Sequence, residues 1–177
     1  MIILADTRQQ DQKHKQKEKW FADHGIEVRR TKLYVGDYTL PTDQSVCIDT
    51  KRDIQELCGN ICEKKEHERF RSECQRAQEA EIQLIILVEN DREVVYSRNG
   101  REIVNYTITD LKDLRGWTNP RLWIFQGGKQ KYPSATKGVT LMKSCLTMQS
   151  KYGVRFEFCA SKDSASRIIE LLTNRNE

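Results

Sequence analysis

The chain has 177 residues and a mass of 20.8 kDa, which suits one domain with at most a small elaboration. Hydrophobic residues make up 37% of it and charged residues 32%, and no apolar stretch approaches the roughly 20 residues that a membrane helix needs. The start, MIILADTRQQ, has no basic segment ahead of its apolar run, so it does not resemble a signal peptide. These features argue against a membrane or secreted protein, and we expect an intracellular, cytoplasmic one.

The apolar pattern, taken in chain order, predicts strands that alternate with helices. We predict strands at residues 2–6, 26–33, 35–40, 45–51, 82–88, 122–125 and 154–159. We predict helices at residues 11–24, 53–80 with a break near Gly59-Asn60, 136–152 and 164–172. The polar residues 91–120 are an elaboration with a small hairpin that turns at Asn99-Gly100. This order predicts a single α/β domain over residues 1–177, with a central mixed sheet flanked by helices.

The six cysteines are expected to be reduced thiols, because the chain shows no secretory signal and is large enough to form a core. Cys58 and Cys62 lie four residues apart in a predicted helix, with His67 and Cys74 beyond them, so a zinc site is an alternative. Structural zinc sites usually use tight C-x2-C pairs, and the sequence has none. We therefore favour buried or unreactive thiols.

The net charge of +4 is unevenly distributed. Residues 1–90 carry 15 Lys and Arg against 17 Asp and Glu, a net of −2, whereas residues 91–177 carry 15 against 9, a net of +6. No acidic residue lies between Asp113 and Glu157. The cations of this interval that we predict to bind DNA are Arg115, Arg121, Lys129, Lys131, Lys137 and Lys143. Cations free of carboxylates suit a phosphate backbone, and nearby aromatics can stack on unpaired bases. A solvated basic face is an equally good interpretation of this pattern alone.

The predicted hairpin at residues 35–51 carries the most informative charges. Asp49 and Lys51 are two residues apart on one strand, so they project to the same side, and Asp37 begins the partner strand. Two carboxylates can hold Mg²⁺ through oxygen ligands, and a lysine can orient a water or stabilise the transition state of phosphodiester hydrolysis. The alternative is a surface hairpin whose charges are simply solvated.

The motifs around this hairpin resemble the nuclease domain of the XPF family of structure-specific endonucleases. That family typically shows V-D-x-R-E at the end of a strand, then G-D-Y, then E-R-K on a strand before a helix. Asp6 and Arg8 match the first motif, Gly36-Asp37-Tyr38 matches the second in full, and Asp49 and Lys51 match the third. The resemblance implies a restriction-endonuclease-like core of the PD-(D/E)xK type.

Further matches extend the resemblance over about residues 1–90. Glu56-Leu57 fits the acidic and leucine positions of the helix after E-R-K, and Arg69-Phe70 with Glu73 fits the R-F segment. The strand that ends at Val88-Glu89 also fits. The second half of the chain matches in outline only.

The resemblance implies an endonuclease that uses Mg²⁺ or Mn²⁺ to cut branched, flap or junction DNA in repair and recombination. It implies metal binding by Asp37, Asp49 and Asp6. Lys51 then positions the attacking water, Arg8 contacts the scissile phosphate, and Glu56 is an auxiliary ligand. Arg69 joins the residues expected to bind DNA.

Two departures from the family pattern leave an alternative open. Gln9 stands where the family has a glutamate, and Thr50 where it has an arginine, whereas Asp49 for glutamate keeps a metal ligand with a shorter reach. The alternative is a DNA-binding module of the same fold with weakened catalysis. A third hypothesis is an interaction protein whose basic face binds an acidic partner.

The expected partners follow from the same comparison. The sequence shows no helix-hairpin-helix module, so the basic stretch is expected to hold the DNA. Gly127-Gly128-Lys129 lacks the spacing and the Ser or Thr of a P-loop, and we expect no nucleotide cofactor. Because family members commonly work as dimers, a homodimer through Met142, Leu146 or the last helix is an expectation that a core-facing stripe would explain equally well.

Overall fold

The computed structural model describes residues 1–8 and 11–174, and it describes only the backbone of residues 11–13. The strands of these residues are β1 (Ile2–Asp6), β2 (Glu27–Thr31), β3 (Tyr38–Thr39), β4 (Val46–Lys51), β5 (Gln83–Glu89), β6 (Glu93–Tyr96), β7 (Glu102–Asn105), β8 (Phe125–Gln126), β9 (Lys129–Gln130) and β10 (Arg155–Cys159). The α-helices are α1 (Asp11–Asp23), α2 (Ile54–Cys62), α3 (Lys64–Glu79), α4 (Gly138–Tyr152) and α5 (Ser164–Thr173). Short 3₁₀ helices cover Leu111–Gly116, Pro120–Trp123 and Ser161–Asp163. None of the helices in the described residues has the length and apolarity needed to cross a membrane.

Six strands form one mixed sheet in the spatial order β10-β5-β4-β3-β1-β2. β3 runs antiparallel to both of its neighbours, and the other adjacent pairs are parallel. The carboxyl ends of β1, β4 and β5 therefore meet the amino end of β3 at one edge of the sheet. The predicted α/β class, a central mixed sheet flanked by helices, is confirmed.

The sheet is buried on both faces at its centre because β5 is apolar from Leu84 to Val88. Along β5, Leu84, Ile86 and Val88 face a core shared with α2, α3 and α4. The alternate residues Ile85 and Leu87 face a second core shared with α1 and α5. The period of two in the side chains of a strand thus divides the helices into two layers.

Two of the predicted elements are wrong in detail. The helical region 53–80 breaks at Glu63, whose backbone is extended at φ −91° and ψ 122°, and not at Gly59-Asn60. The predicted buried strand at 122–125 is instead the 3₁₀ helix Pro120–Trp123 followed by the start of β8, and it is only partly buried. Asn119 accepts a hydrogen bond from the Arg121 N–H, and Pro120 occupies the first turn, so helix-starting residues override the apolar run.

The elaboration is tied to the core by buried amide side chains. Asn90 accepts from the Ile108 N–H at 2.6 Å and donates to the Ile108 carbonyl at 3.0 Å. Asn105 makes the same paired contacts with the backbone of Thr118, both at 2.8 Å. The small hairpin is formed by β6 and β7, and its predicted turn at Asn99-Gly100 is confirmed, with Gly100 at φ +78°. These contacts hold residues 91–120 against the sheet without a strand in it.

Gly138 lets the 3₁₀ helix Leu111–Gly116 pack against the first turn of α4. A Cβ atom at Gly138 would lie 2.2 Å from the Leu114 carbonyl oxygen and 2.4 Å from the Trp117 carbonyl oxygen. Both atoms belong to the backbone, so neither can move aside cheaply.

We predict that Gly138→Ala lowers the free energy of unfolding by about 3 kcal/mol, because an added atom in a packed contact forces the backbone apart. Chemical denaturation measures the change. Gly116→Ala is the matched control, since a Cβ atom there meets nothing within 4 Å, and its effect should stay within about 0.5 kcal/mol. Equal effects of the two substitutions would contradict this packing.

Candidate active site at the edge of the sheet

The hairpin of β3 and β4 fixes the Asp37 carboxylate beside the end of β4. The Asp37 N–H donates to the Ile48 carbonyl at 2.7 Å. In return, the N–H and the hydroxyl of Thr50 donate to Asp37 Oδ2 at 2.9 and 2.6 Å. Gly36, at φ +72°, brings the chain so close that a Cβ atom would lie 3.0 Å from the Ile48 oxygen. The backbone therefore requires glycine at the first position of the G-D-Y motif, and Asp37 at the second position supplies the carboxylate.

Asp49 and Lys51 form a buried ion pair at the carboxyl end of β4. Asp49 Oδ2 lies 2.6 Å from Lys51 Nζ, and the two side chains are only 9% and 10% exposed. Burial, together with the nearby charges of Asp37 and Glu73, raises the pKa of Asp49 to about 7, although the charge of Lys51 lowers it. Three carboxylates therefore share one electrostatic environment.

Lys51 keeps its charge in this environment. Burial lowers the pKa of Lys51, but the carboxylates of Asp49, Asp37 and Glu73 raise it above its usual value. The ammonium also lies 5.4 Å from the centre of the Phe70 ring. Glu73 in turn accepts from the Gly36 N–H at 2.9 Å, which ties α3 to the hairpin.

The Asp6 carboxylate is occupied by donors of the protein itself. Its Oδ1 accepts from the N–H and Nε of Arg8 at 2.7 and 2.8 Å, and its Oδ2 accepts from Arg8 Nη2 and the Leu33 N–H, both at 2.8 Å. Burial raises the pKa of Asp6, but these hydrogen bonds outweigh burial and leave the pKa below its usual value. This geometry assigns Asp6 the task of holding Arg8, and it does not favour the predicted metal contact.

An open cleft of about 560 Å³ contains the whole predicted catalytic set. The predicted residues that line it are Asp6, Arg8, Asp37, Asp49, Lys51 and Glu56. Glu56 lies in the first turn of α2, where its carboxylate accepts from the Arg52 N–H at 2.9 Å. The sequence stretches that carry these residues thus converge at one edge of the sheet.

The residues predicted to bind DNA are divided among several places. Arg69 lines the cleft, and Arg121 and Lys131 line a second pocket beside α2. The cations Arg115, Lys129, Lys137 and Lys143 line neither. Of the residues named for a dimer face, Leu146 is 42% exposed, whereas Met142 packs against the core.

The cleft also contains charges that were not predicted for it. Glu73 and Arg76 lie on the same face of α3 as Arg69, at the i, i+4, i+7 spacing, and this spacing could have placed the three residues together. Glu89 ends β5, and the rule that parallel strands share an edge would have found it. It pairs with Lys17 of α1 and accepts from the Ser164 hydroxyl at 2.8 Å.

His14 enters the cleft from α1, where its ring nitrogen lies 3.1 Å from the Tyr38 hydroxyl. Burial lowers the pKa of His14, and so does the charge of Lys17. No signal in the sequence places His14 or Lys17 here, because only the packing of α1 on the sheet brings them in. Gln9, one of the two departures from the family pattern, lies outside the described residues.

A divalent cation fits the oxygen donors of this cleft if two carboxylates and several bound waters complete its coordination. Within residues 1–8 and 11–174, no three His, Cys, Asp or Glu side chains are already arranged to hold a metal ion. Mg²⁺ commonly binds through one or two carboxylates and keeps several waters. Asp37 and Asp49 meet that requirement as a pair, and the mutual repulsion that raises the pKa of Asp49 is the kind that a cation relieves.

Comparisons with known proteins agree with this fold. The family model of the ERCC4 domain matches residues 5–172. XPF from Aeropyrum pernix has a similar structure, with a TM-score of 0.58 and 16% identity over 97% of this chain and 63% of that chain. XPF from Aeropyrum pernix in complex with DNA gives a TM-score of 0.57 and 16% identity over 97% and 62%. This chain therefore spans less than two thirds of either structure, and no curated protein matches it in sequence. The resemblance to the XPF nuclease domain, predicted from the motifs, is confirmed.

We predict that Lys51→Met destabilises the protein more at high pH than at low pH. Without the ammonium, the folded-state pKa of Asp49 rises further above its unfolded value of roughly 3.9. The folded state then keeps a proton that the unfolded state releases, so stability falls as pH rises through that interval. The loss should approach about 4 kcal/mol near pH 8.5 and be much smaller near pH 5.

Urea denaturation at the two pH values measures this difference. Lys19→Met is the matched control, because it breaks the exposed pair of Lys19 with Asp23, whose side chains are 75% and 55% exposed. It should cost less than about 1 kcal/mol at both pH values. A loss from Lys51→Met that is the same near pH 5 and pH 8.5 would show that Asp49 is not the buried charge described.

Proposed function

We propose that this chain, which belongs to the ERCC4 domain family, is a metal-dependent endonuclease that hydrolyses phosphodiester bonds in DNA. The observation that carries the proposal is the buried pair of Asp49 and Lys51 at one edge of the sheet, with the Asp37 carboxylate held beside it by Thr50. Burying these charges has a cost that a structural role rarely justifies. The solved XPF in complex with DNA supports DNA as the substrate class.

The Asp37 and Asp49 carboxylates are the groups that would hold Mg²⁺ or Mn²⁺. The cation supplies charge neutralisation at the phosphate and a water of lowered pKa. Asp37 is held in place for this task by Thr50, so the residue that replaces the family's arginine positions a ligand instead of contacting a phosphate. Asp6 supports the site indirectly, through Arg8.

The cations of the cleft bind and orient the substrate. Lys51, buried and charged, can donate to the attacking water or to the phosphate oxygens as negative charge develops on them. The Arg8 guanidinium, held by Asp6 and 56% exposed, lies at the mouth of the cleft for a contact with the scissile phosphate. Glu56 orients the backbone of Arg52 and can serve as an auxiliary carboxylate.

Contacts to DNA outside the reacting phosphate come from two sets of cations. Arg52, Arg69 and Arg76 line the cleft itself. The second set is the acid-free stretch, with Arg115, Arg121, Lys129, Lys131, Lys137 and Lys143. Branched, flap or junction DNA offers both a duplex for these phosphate contacts and unpaired nucleotides for the aromatic residues among them. We assign the protein to DNA repair or recombination on this chemistry, acting alone or as a homodimer.

The alternative, a DNA-binding module without catalysis, is disfavoured by the intact charge cluster. A module that only binds DNA does not require two repelling carboxylates beside a buried ammonium. It would bind branched DNA equally well in EDTA and show no affinity for divalent cations. The same experiments therefore separate the two hypotheses.

We predict that the purified chain cuts flap and fork DNA in Mn²⁺ and that Asp49→Asn lowers the rate at least about a hundredfold, because it removes a charge that acts at the reacting phosphate. Gel analysis of end-labelled substrates, with an intact duplex alongside, measures both rates. Asp23→Asn is the matched control, since Asp23 is an exposed residue at the end of α1. It should cut at the rate of the wild type.

The outcome that rules out catalysis is a wild-type protein that binds these substrates and leaves all of them intact in Mn²⁺ and in Mg²⁺. Equal cutting by Asp49→Asn and the wild type would place the chemistry elsewhere in the chain. Circular dichroism of the variant confirms that a lost activity is not a lost fold.

A further inference from the structure

A second pocket of about 390 Å³ lies along α2. Gln55, Cys58 and Cys62 follow the i, i+3, i+7 spacing of one helix face and form one wall of it. The opposite wall comes from the segment between residues 119 and 136. Glu56, the neighbour of Gln55 in the first turn of α2, lines the cleft, so adjacent residues of one helix border the two depressions.

The walls of this pocket are cationic and aromatic. Arg121 and Lys131 both lie against the Tyr132 ring, at 5.7 and 5.4 Å from its centre. Glu63 is the one acidic residue among the residues that line the pocket, and it already pairs with Arg121 at 3.1 Å. Glu63 thus offsets the charge of Arg121, and Lys131 remains as the cation without a carboxylate partner among the residues that line the pocket.

The Gln55 side chain on the α2 wall contains an acceptor that lacks a donor. Among the described residues, the buried Gln55 Oε1 has no hydrogen-bond partner. The neighbouring Asn119 is satisfied, because it donates to the Thr136 carbonyl at 2.9 Å and accepts from the Arg121 N–H at 3.0 Å. A buried amide oxygen without a partner costs free energy, and a ligand with an N–H group would relieve that cost.

We infer that this pocket binds one unpaired nucleotide of the DNA strand that enters the cleft, an inference that rests on the proposed nuclease function. The base stacks against the wall formed by Tyr132 and Arg121, as bases do on aromatic rings and guanidinium planes. Its edge donates to Gln55 Oε1, and its phosphate meets Lys131. A paired base has its edge and faces covered by the duplex, so only an unpaired one can enter.

Cys62 provides a readout of this pocket that does not depend on cutting. It is the exposed thiol of the six, and the other five are buried. Hydrogen bonds with Cys58 and Thr136 lower the pKa of Cys62 despite its partial burial, which favours the reactive thiolate. A nucleotide seated in the pocket would shield this sulfur from a small reagent.

The test compares the rate of Cys62 alkylation by iodoacetamide in EDTA with no DNA, with a paired duplex, and with the same duplex carrying a single-stranded extension. We expect the extension to slow alkylation several-fold and the duplex to leave it unchanged. Tyr132→Ala should weaken binding of the extended duplex about tenfold, measured by fluorescence anisotropy. Tyr96→Ala is the matched control, since Tyr96 is 58% exposed and lies on the β6–β7 hairpin outside the pocket.

Four outcomes would overturn the inference. The first three are equal protection by paired and extended DNA, no protection by either, and equal loss of affinity in Tyr132→Ala and Tyr96→Ala. A Cys62 thiol that does not react in the free protein would mean a closed pocket and would also contradict it. If the extended duplex protects Cys62 but the protein cuts no DNA in Mn²⁺, the nuclease proposal is contradicted and the nucleotide pocket is supported. If the protein cuts DNA but the extended duplex does not protect Cys62, the nuclease proposal is supported and the pocket is contradicted.

Discussion

The ion pair of Asp49 and Lys51 is the interaction on which the rest of the site depends. Two opposite charges at the end of a buried strand are stable only when each compensates the other, and both side chains are about nine-tenths buried. Asp37 and Glu73 add negative charge around the pair, which keeps the ammonium protonated and raises the pKa of Asp49. Three carboxylates thus surround one ammonium, and the hairpin and α3 hold them there.

Much of this arrangement is determined by short-range rules that can be applied to the sequence. The period of two in a strand places Asp49 and Lys51 on one side, and the hairpin brings Asp37 to them, as the hydrogen bonds from Thr50 show. The alternation of strands and helices in the sequence was enough to predict the α/β fold class. The strand predicted at 122–125 failed because Asn119 and Pro120 start a 3₁₀ turn whatever follows them. The contributions of His14 and Lys17 depend on how α1 packs, which no local pattern contains.

Residues 91–120 give this fold a second surface beside the sheet. Asn90 and Asn105 hold residues 91–120 against the core, and Gly138 lets their 3₁₀ helix approach α4 closely. The chain then continues through the basic segment that faces α2 across the second pocket. The charged cleft and the second pocket therefore both border one short helix, α2.

A calorimetric titration with Mn²⁺ tests the central claim most directly, that Asp37 and Asp49 share one divalent cation while Asp6 serves Arg8. The account predicts a binding isotherm for the wild type that disappears in Asp37→Asn and in Asp49→Asn and persists in Asp6→Asn, whose carboxylate is already occupied by donors of the protein. Undiminished Mn²⁺ binding by Asp37→Asn or Asp49→Asn would contradict it.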